Sequence, residues 1–178
     1  MTAPLGSMSL AQEYLRITLA DCAAFRTLVG ATGGTAQAQA LARIHHDALP
    51  PPRIGSEHSL AELELYRPCA LLWQSQNSGF GRKVVANQTS IDHGVLMIRI
   101  AADVDKEISE NHQEVYIRFQ NAISQILDEL VFLAGQAGYL AITAIDVESG
   151  PYRTHPDEYE TTGDCQFCDL RITWGAEG

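Results

Sequence analysis

The chain has 178 residues, with 22 acidic against 12 basic side chains and a formal net charge of -10. A chain of this length can bury a hydrophobic core without disulfides or structural metals. The negative balance disfavours direct binding to nucleic acid or anionic lipid, and no apolar run approaches the roughly 20 residues of a membrane-spanning helix. We therefore expect one soluble domain over residues 1–178, made in the cytoplasm, with its four cysteines reduced.

Two helices are predicted in the N-terminal region, residues 9–48. Apolar residues recur there at spacings of three and four, which places them on one face of a first helix that Gly30 can end. These apolar positions are Leu15, Leu19, Cys22, Phe25 and Val29. The second, shorter helix is predicted from Ala40, Leu41, Ile44 and Ala48.

A long proline-rich loop, residues 49–66, separates this region from a predicted core of sheet and long helix, residues 67–175. Apolar runs of strand length at Cys69–Gln74 and 94–100 predict two neighbouring antiparallel strands. The connection between them is polar and is interpreted as a projecting arm. The arm carries Phe80, Arg82 and Lys83.

The clearest helix is predicted from about Ser109 to Ala134, because apolar residues repeat there at helical period opposite a polar face. Its apolar positions are Val115, Phe119, Ile123, Ile126, Leu127, Leu130 and Val131. Residues 140–147 follow as a strand whose apolar positions change phase between Ile142 and Ile145. Either a bulge or burial on both faces explains that change.

The last predicted strand alternates between two faces. One face carries Cys168, Leu170, Ile172 and Trp174, and the other carries Asp169, Arg171 and Thr173. The order of elements predicts an α+β fold with a mainly antiparallel sheet of four or slightly more strands and helices packed on one face.

The glycine-rich segment Gly30–Ala36 admits an enzymatic interpretation. It looks like the turn of short-chain dinucleotide-binding proteins, in which backbone amides approach a pyrophosphate at the start of a helix. Residues 21–29, however, fit a helix better than a buried strand, and no strand ending in an acidic residue follows at the expected distance of about 20 residues. We interpret the segment as a helix end and loop, and keep a dinucleotide-binding oxidoreductase as the alternative function.

Metal and thiol chemistry is considered at two places. Cys165 and Cys168 have the spacing of a zinc knuckle or redox pair, but no second ligand pair follows and a regular strand would place them on opposite faces. His45 and His46 could supply imidazole ligands, and His155 could serve as a base for Cys165. None of these groups completes an active site. The sequence therefore predicts no catalytic residue and no cofactor, and leaves metal binding by the cysteine pair open.

Two polar connections carry residue types that are enriched at protein–protein contacts. One is the arm, whose basic tip could contact the acidic flank of an identical neighbour. The other, residues 149–160, joins the last two strands, and an ordinary solvated loop explains it equally well. With the polar face of the last strand, they give the candidate contact residues Phe80, Arg82, Lys83, Tyr152, Arg153, Tyr159, Asp169 and Arg171.

The order and character of these elements resemble a family of virion proteins. The resemblance is carried by the strand Arg67–Trp73, the strand 94–100, the long helix through Phe119, Ile123 and Leu130, and the closing segment Asp169–Gly175. Together, over about residues 60–175, they look like the tail-terminator and tail-completion proteins of long-tailed bacteriophages and related prophage elements. The longer N-terminal helical region and the proline-rich loop depart from that pattern.

The resemblance implies a structural subunit without enzymatic activity, which forms a hexameric ring at the head-proximal end of the tail tube. Such a ring stops tube polymerisation and joins the tube to the head. The implied partners are other copies of the chain, the tail tube protein and the head–tail connector protein. The implied location is the virion, after synthesis in the cytoplasm of the bacterial host.

Overall fold

A computed structural model describes residues 7–46, 49, 59–74, 81–84, 90–104, 112–134, 140–155 and 164–177. Its helices are α1 (Ser7–Asp21), α2 (Ala23–Leu28), α3 (Ala36–Leu41), α4 (Leu60–Tyr66) and α5 (His112–Ala134), with a 3-10 turn at Gly33–Thr35. Its strands are β1 (Ile44–His46), β2 (Cys69–Gln74), β3 (Gly81–Val84), β4 (Ser90–Asp103), β5 (Leu140–Arg153) and β6 (Cys165–Glu177). The predicted α+β class is confirmed.

Within these residues the strands form one six-stranded sheet in the order β1-β2-β4-β6-β5, with β3 paired to β4. The sheet is mainly antiparallel, and β1 runs parallel to β2. Its centre is the continuous pairing of β4 with β6, from Ile91 opposite Glu177 to Asp103 opposite Cys165. The register of β5 shifts after Ile142, so the predicted irregularity in this strand is a bulge.

The hydrophobic core lies between one face of the sheet and the helices α1, α2, α3 and α5. The alternate positions of the central strands face these helices and are buried: Ala70, Leu72, Leu96, Ile98, Ile100, Cys168, Leu170, Ile172 and Trp174. The alternation predicted for the last strand is therefore confirmed. From the other side, α5 contributes Phe119, Ile123, Ile126 and Leu130 to the same core. Val131, which the helical period predicted on this face, is instead 60% exposed.

The N-terminal region differs from the prediction at two points. The first helix is interrupted at Cys22, which has extended backbone angles and separates α1 from α2. The second predicted helix ends at Leu41, and Ile44 begins a strand instead, because β1 pairs with β2 and buries the Ile44 side chain. Strand pairing of this kind overrides local helical preference.

The predicted loop 49–66 also contains regular structure, because its last part is α4. The side chain of Ser59 accepts a hydrogen bond from the Glu62 backbone N–H, and the Glu62 carboxylate accepts one from the Ser59 backbone N–H. This reciprocal capping box starts the helix and could have been recognised as a Ser-x-x-Glu pattern. Among the described helices, none is both long and apolar enough to cross a membrane.

Candidate functional site

The sheet face opposite the core is only partly covered, and we call it the open face. Its side chains alternate with the core positions and stand in rows across β2, β4, β6 and β5. We define the open face by three rows: Trp73–Met97–Arg171–Asp146, Leu71–Arg99–Asp169–Ser149 and Cys69–Ala101–Phe167–Tyr152. Helix α4 lies on the same side, where the ring of Tyr66 packs edge to face on His45 at a centroid distance of 5.8 Å.

An ion pair between Arg99 and Asp169 forms the centre of the open face. Nε and Nη2 of Arg99 donate to the two carboxylate oxygens of Asp169 at 2.7 and 2.8 Å, and Ser149 Oγ donates to the same carboxylate at 3.1 Å. The Asp169 side chain is 10% exposed and the Arg99 side chain 40%. The hydrogen bonds that Arg99 donates to Asp169 raise the pKa of Arg99 above its ordinary value, so the guanidinium is a permanent, partly accessible cation.

Aromatic rings lie against the same guanidinium. Arg99 Cζ is 5.0 Å from the ring centroid of Phe167 and 5.9 Å from that of Trp73, within the cation–π range of about 6 Å. Tyr152 packs edge to face on Phe167, with centroids 3.9 Å apart, and is 39% exposed. Tryptophan, tyrosine and arginine are the residue types that dominate binding energy at protein interfaces. The strand register therefore concentrates them on one accessible area.

A cavity of about 230 Å³ opens beside Arg99 on the open face. Its apolar walls are formed by Leu49, Leu63, Leu71, Ala101 and Phe167. This volume lies below the roughly 300–1,000 Å³ of typical small-molecule sites. The cavity is therefore of a size to hold one bulky side chain rather than a cofactor.

The polar lining of the cavity is cationic and neutral. The polar residues that line it are Arg67, Arg99, Thr154, Cys69 and Cys165. Arg67 is mostly buried and forms an ion pair with Asp103 at 2.6 Å. The described lining contains no carboxylate, although the whole chain carries a net charge of -10. Arg67 is paired with Asp103 and Arg99 with Asp169, so these two cations bring no excess positive charge to the cavity.

Burial holds the thiols of Cys69 and Cys168 in the protonated form. Burial raises the pKa of Cys69 to about 11, so this group is a neutral thiol near pH 7. Thr154 Oγ1 lies 3.0 Å from Cys165 Sγ and donates to the Cys165 carbonyl. Cys168 belongs to the core on the other face of the sheet, where burial raises its pKa to about 11. Cys165 and Cys168 therefore lie on opposite faces, as predicted.

The predicted histidine ligands also fall at separate positions. His45 is half-buried against Tyr66, whereas His46, the next residue of β1, is exposed. Burial lowers the pKa of His45, and the neighbouring charges of Arg43 and His46 lower it further. His155 is exposed, just after Thr154. In the described part of the chain, no cluster of three or more potential metal-binding side chains is found.

The structure brings together part of the predicted contact set. Tyr152, Asp169 and Arg171 lie on the open face in adjacent rows, and the Arg171 side chain is exposed. Arg153 is one position beyond Tyr152, so its side chain alternates to the opposite face. There it forms an ion pair with Asp164, at the residue before β6.

The predicted arm is described only in part. The backbone register of β3 places Arg82 opposite Asp92 and Lys83 opposite Ile91, and Asp92 is fully buried. The side chains of Arg82 and Lys83 lie outside the described residues, as do Phe80 and Tyr159 entirely. Their predicted role in contacts remains a prediction.

Sequence reasoning did not single out Arg99, which is central to the open face. The available signal was a lone cation within the apolar run 94–100, at a position that alternates with Ile98 and Ile100. Trp73 entered only as the end of a predicted strand, and Phe167 was not singled out. Their meeting with Arg99 depends on the pairing of three strands that are distant in sequence.

The glycine-rich segment Gly30–Ala36 joins α2 to the 3-10 turn and α3. Gly30 and Gly33 have positive φ angles of 69° and 71°, a conformation that suits a helix end and a turn. The dinucleotide-binding turn follows a strand, whereas this segment follows a helix. The interpretation as a helix end and loop is confirmed.

Comparisons of the chain with protein-family models and with curated proteins find no match.

Proposed function

We propose that this chain is a structural assembly subunit of a phage tail or tail-like particle, forming a ring that caps the tail tube and joins it to the head connector. The observation that carries the proposal is the open face, where Arg99 is held by Asp169 and flanked by Trp73 and Phe167. The resemblance of the element order to tail-terminator and tail-completion proteins is the reason for proposing a phage tail as the assembly. The open face supplies a surface suited to subunit contact.

The chemistry of the open face favours binding over catalysis. Arg99 is fully protonated, the carboxylate of Asp169 is engaged by Arg99 and Ser149, and the nearby Cys69 thiol has a raised pKa. Groups in these states hold a partner but do not transfer protons or attack bonds near pH 7. An accessible arginine with half-buried aromatic rings and a cavity of side-chain size is typical of the central part of a protein interface.

Unused hydrogen-bond donors on the open face support contacts between copies. The chain as a whole is acidic, and the Arg99 guanidinium, although paired with Asp169, keeps N–H groups that have no acceptor among the described residues. A carboxylate on the surface of the next copy can accept from them, and contacts between two different patches propagate head to tail. Such contacts generate a ring when the rotation between copies closes.

Immunogold electron microscopy of purified tail tubes incubated with the full-length chain tests this function. Label at one end of the tubes supports the proposal, and label only on free protein contradicts it. Tyr152→Ala should reduce end labelling about tenfold, which corresponds to the roughly 1.4 kcal/mol expected of an interface hot spot. Val147→Ala is the matched control, because Val147 is an exposed apolar residue of the same strand outside the open face.

A further inference from the structure

Arg99 uses only part of its hydrogen-bonding capacity. Its guanidinium has five N–H donors, and within the described residues only Nε and Nη2 have an acceptor, the Asp169 carboxylate. Asp169 holds one edge of the group and the rings of Trp73 and Phe167 lie against it. The edge that carries Nη1 is therefore held in a defined orientation, and Arg99 lines the cavity. This edge is suited to a carboxylate from another segment.

The cavity beside Arg99 adds a second requirement. Its walls at Leu63, Leu71 and Phe167 suit an aromatic or bulky aliphatic side chain, and its volume of about 230 Å³ suits one such side chain. Both arginines of the lining are already paired with carboxylates, so the preference for an acidic segment comes from the remaining N–H donors of Arg99, which suit a carboxylate acceptor. The matching ligand is a peptide with a bulky apolar side chain next to an acidic residue.

The chain itself contains such a peptide. Tyr159 is flanked by Glu158 and Glu160 and preceded by Asp157. We infer that the cavity of one copy binds Tyr159 of a second copy, with a flanking glutamate on the free edge of Arg99. The contact joins two different patches of the same chain, which is the arrangement that a closed ring requires. The inference rests on the proposed function, and it names the segment through which the copies associate.

Peptide binding to the full-length Tyr159→Ala protein tests the match between cavity and segment. The probe is a fluorescein-labelled peptide of residues 155–161, His-Pro-Asp-Glu-Tyr-Glu-Thr, measured by fluorescence anisotropy. We expect saturable binding, at least tenfold weaker for the peptide with alanine in place of tyrosine and within threefold for the peptide with phenylalanine. Absence of binding by the unmodified peptide overturns the inference.

Variants of the cavity locate the binding. Ala101→Leu adds volume to the cavity wall, and Leu63→Trp does so from α4, outside the central sheet. In the Tyr159→Ala background, either change should weaken peptide binding at least tenfold while the circular dichroism spectrum stays that of a folded protein. Unchanged affinity in a folded variant places the peptide elsewhere and overturns the inference.

Mixing two variants shows whether the Tyr159 segment binds the cavity of another copy or the cavity of its own chain. Tyr159→Ala retains the cavity and Ala101→Leu retains the segment, so their mixture should form one-to-one pairs in analytical ultracentrifugation. Neither protein alone should associate. Peptide binding without pair formation would mean that the segment fills the cavity of its own chain, which overturns the contact between copies. Tube-end labelling is a separate measurement, so the proposed function can survive the loss of this contact.

Discussion

Arg99 illustrates how a residue of β4 acquires a role that its own position does not reveal. An arginine between Ile98 and Ile100 points away from the core because successive strand residues alternate between faces. On that face Asp169 is directly opposite, so the charge is paired where it is partly withdrawn from water. The accessible part of the cation then remains available for a partner.

The backbone at Gly150 positions Tyr152 on the open face. Gly150 has a φ of 93°, and a Cβ at this position would lie 2.7 Å from the backbone oxygen of Phe167. Gly150→Ala should therefore lower the free energy of unfolding by about 1–3 kcal/mol, measured by urea denaturation. Gly34→Ala is the matched control, because no atom lies within 4 Å of its Cβ position and its φ is not positive; its effect should stay within about 0.5 kcal/mol. Equal losses in both variants would contradict this account.

His45 makes the stability of the chain depend on pH. Because its pKa is lowered in the folded state, the unfolded chain takes up a proton first as the pH falls below the ordinary histidine pKa of about 6.5. Stability due to His45 is therefore present above that value and is lost as the pH falls toward the folded pKa. His45→Phe keeps a ring against Tyr66 and should reduce the drop in melting temperature between pH 7.5 and pH 5.5.

His46→Phe is the control for this measurement, because His46 is the next residue and is exposed. The His46→Phe variant should show the same drop in melting temperature between pH 7.5 and pH 5.5 as the wild-type protein. If both variants lose the same part of the pH dependence, the burial of His45 is not its source.

At the scale of elements, β5 shapes the open face because it is the outer strand next to β6. Its register shifts between Ile142 and Ala144, between Val147 and Ser149, and between Ser149 and Tyr152. Bulges bend an edge strand and re-aim its side chains. Here the last shift places Tyr152 opposite Phe167. The outer strand therefore completes the aromatic cluster beside Arg99.

Helix α2 depends on α5 for its N-terminal cap. The N-cap residue, Cys22, provides no side-chain hydrogen bond, and the Glu129 carboxylate accepts from the Ala24 N–H at 3.2 and 3.3 Å instead. Glu129→Ala should lower the free energy of unfolding by about 1 kcal/mol, as the loss of a cap does. Asp128→Ala, at the neighbouring exposed position, should change it by less than about 0.5 kcal/mol. The free energies of unfolding of both variants are measured by chemical denaturation. Equal losses would show that Glu129 does not stabilise α2 as a cap.

At the scale of the whole molecule, the two faces of the sheet differ in burial. Helices α1, α2, α3 and α5 bury one face in a continuous core. Within the described residues, the other face keeps its cation, aromatic rings and cavity accessible, with α4 beside them. Under the proposed function, the core supplies stability and the open face contacts a partner.

The oxidoreductase alternative can be tested on the intact protein. Because the glycine-rich segment follows α2 and not a strand, nicotinamide dinucleotides at 1 mM should leave the melting temperature unchanged in differential scanning fluorimetry. A rise that increases with dinucleotide concentration would contradict this expectation and return the Gly30–Ala36 segment to consideration.

The sequence by itself determined the elements with strong periodicity. The α5 repeat and the alternation of β6 appear in local spacing, since a helix or strand with one buried face must repeat apolar residues at its own period. The opposite directions of Cys165 and Cys168 follow from the same rule, and the α+β class follows from the order of the elements. The change of phase in β5 was visible in the sequence, and the strand register decided that it is a bulge. Asp169 and Arg171 were candidates because they lie on the polar face of β6, whereas Tyr152 was a candidate because tyrosine is enriched at protein contacts.

Only the tertiary structure decided which of these residues meet. Arg99 and Asp169 are 70 positions apart and become neighbours through the pairing of β4 with β6. The short strand β1 forms where a helix was predicted, because pairing with β2 and burial of Ile44 outweigh the local preference. The cavity likewise needs α4, β2, β4 and β6 together. Local spacing records which face a residue occupies, whereas the register between distant strands decides its neighbours and hence the site.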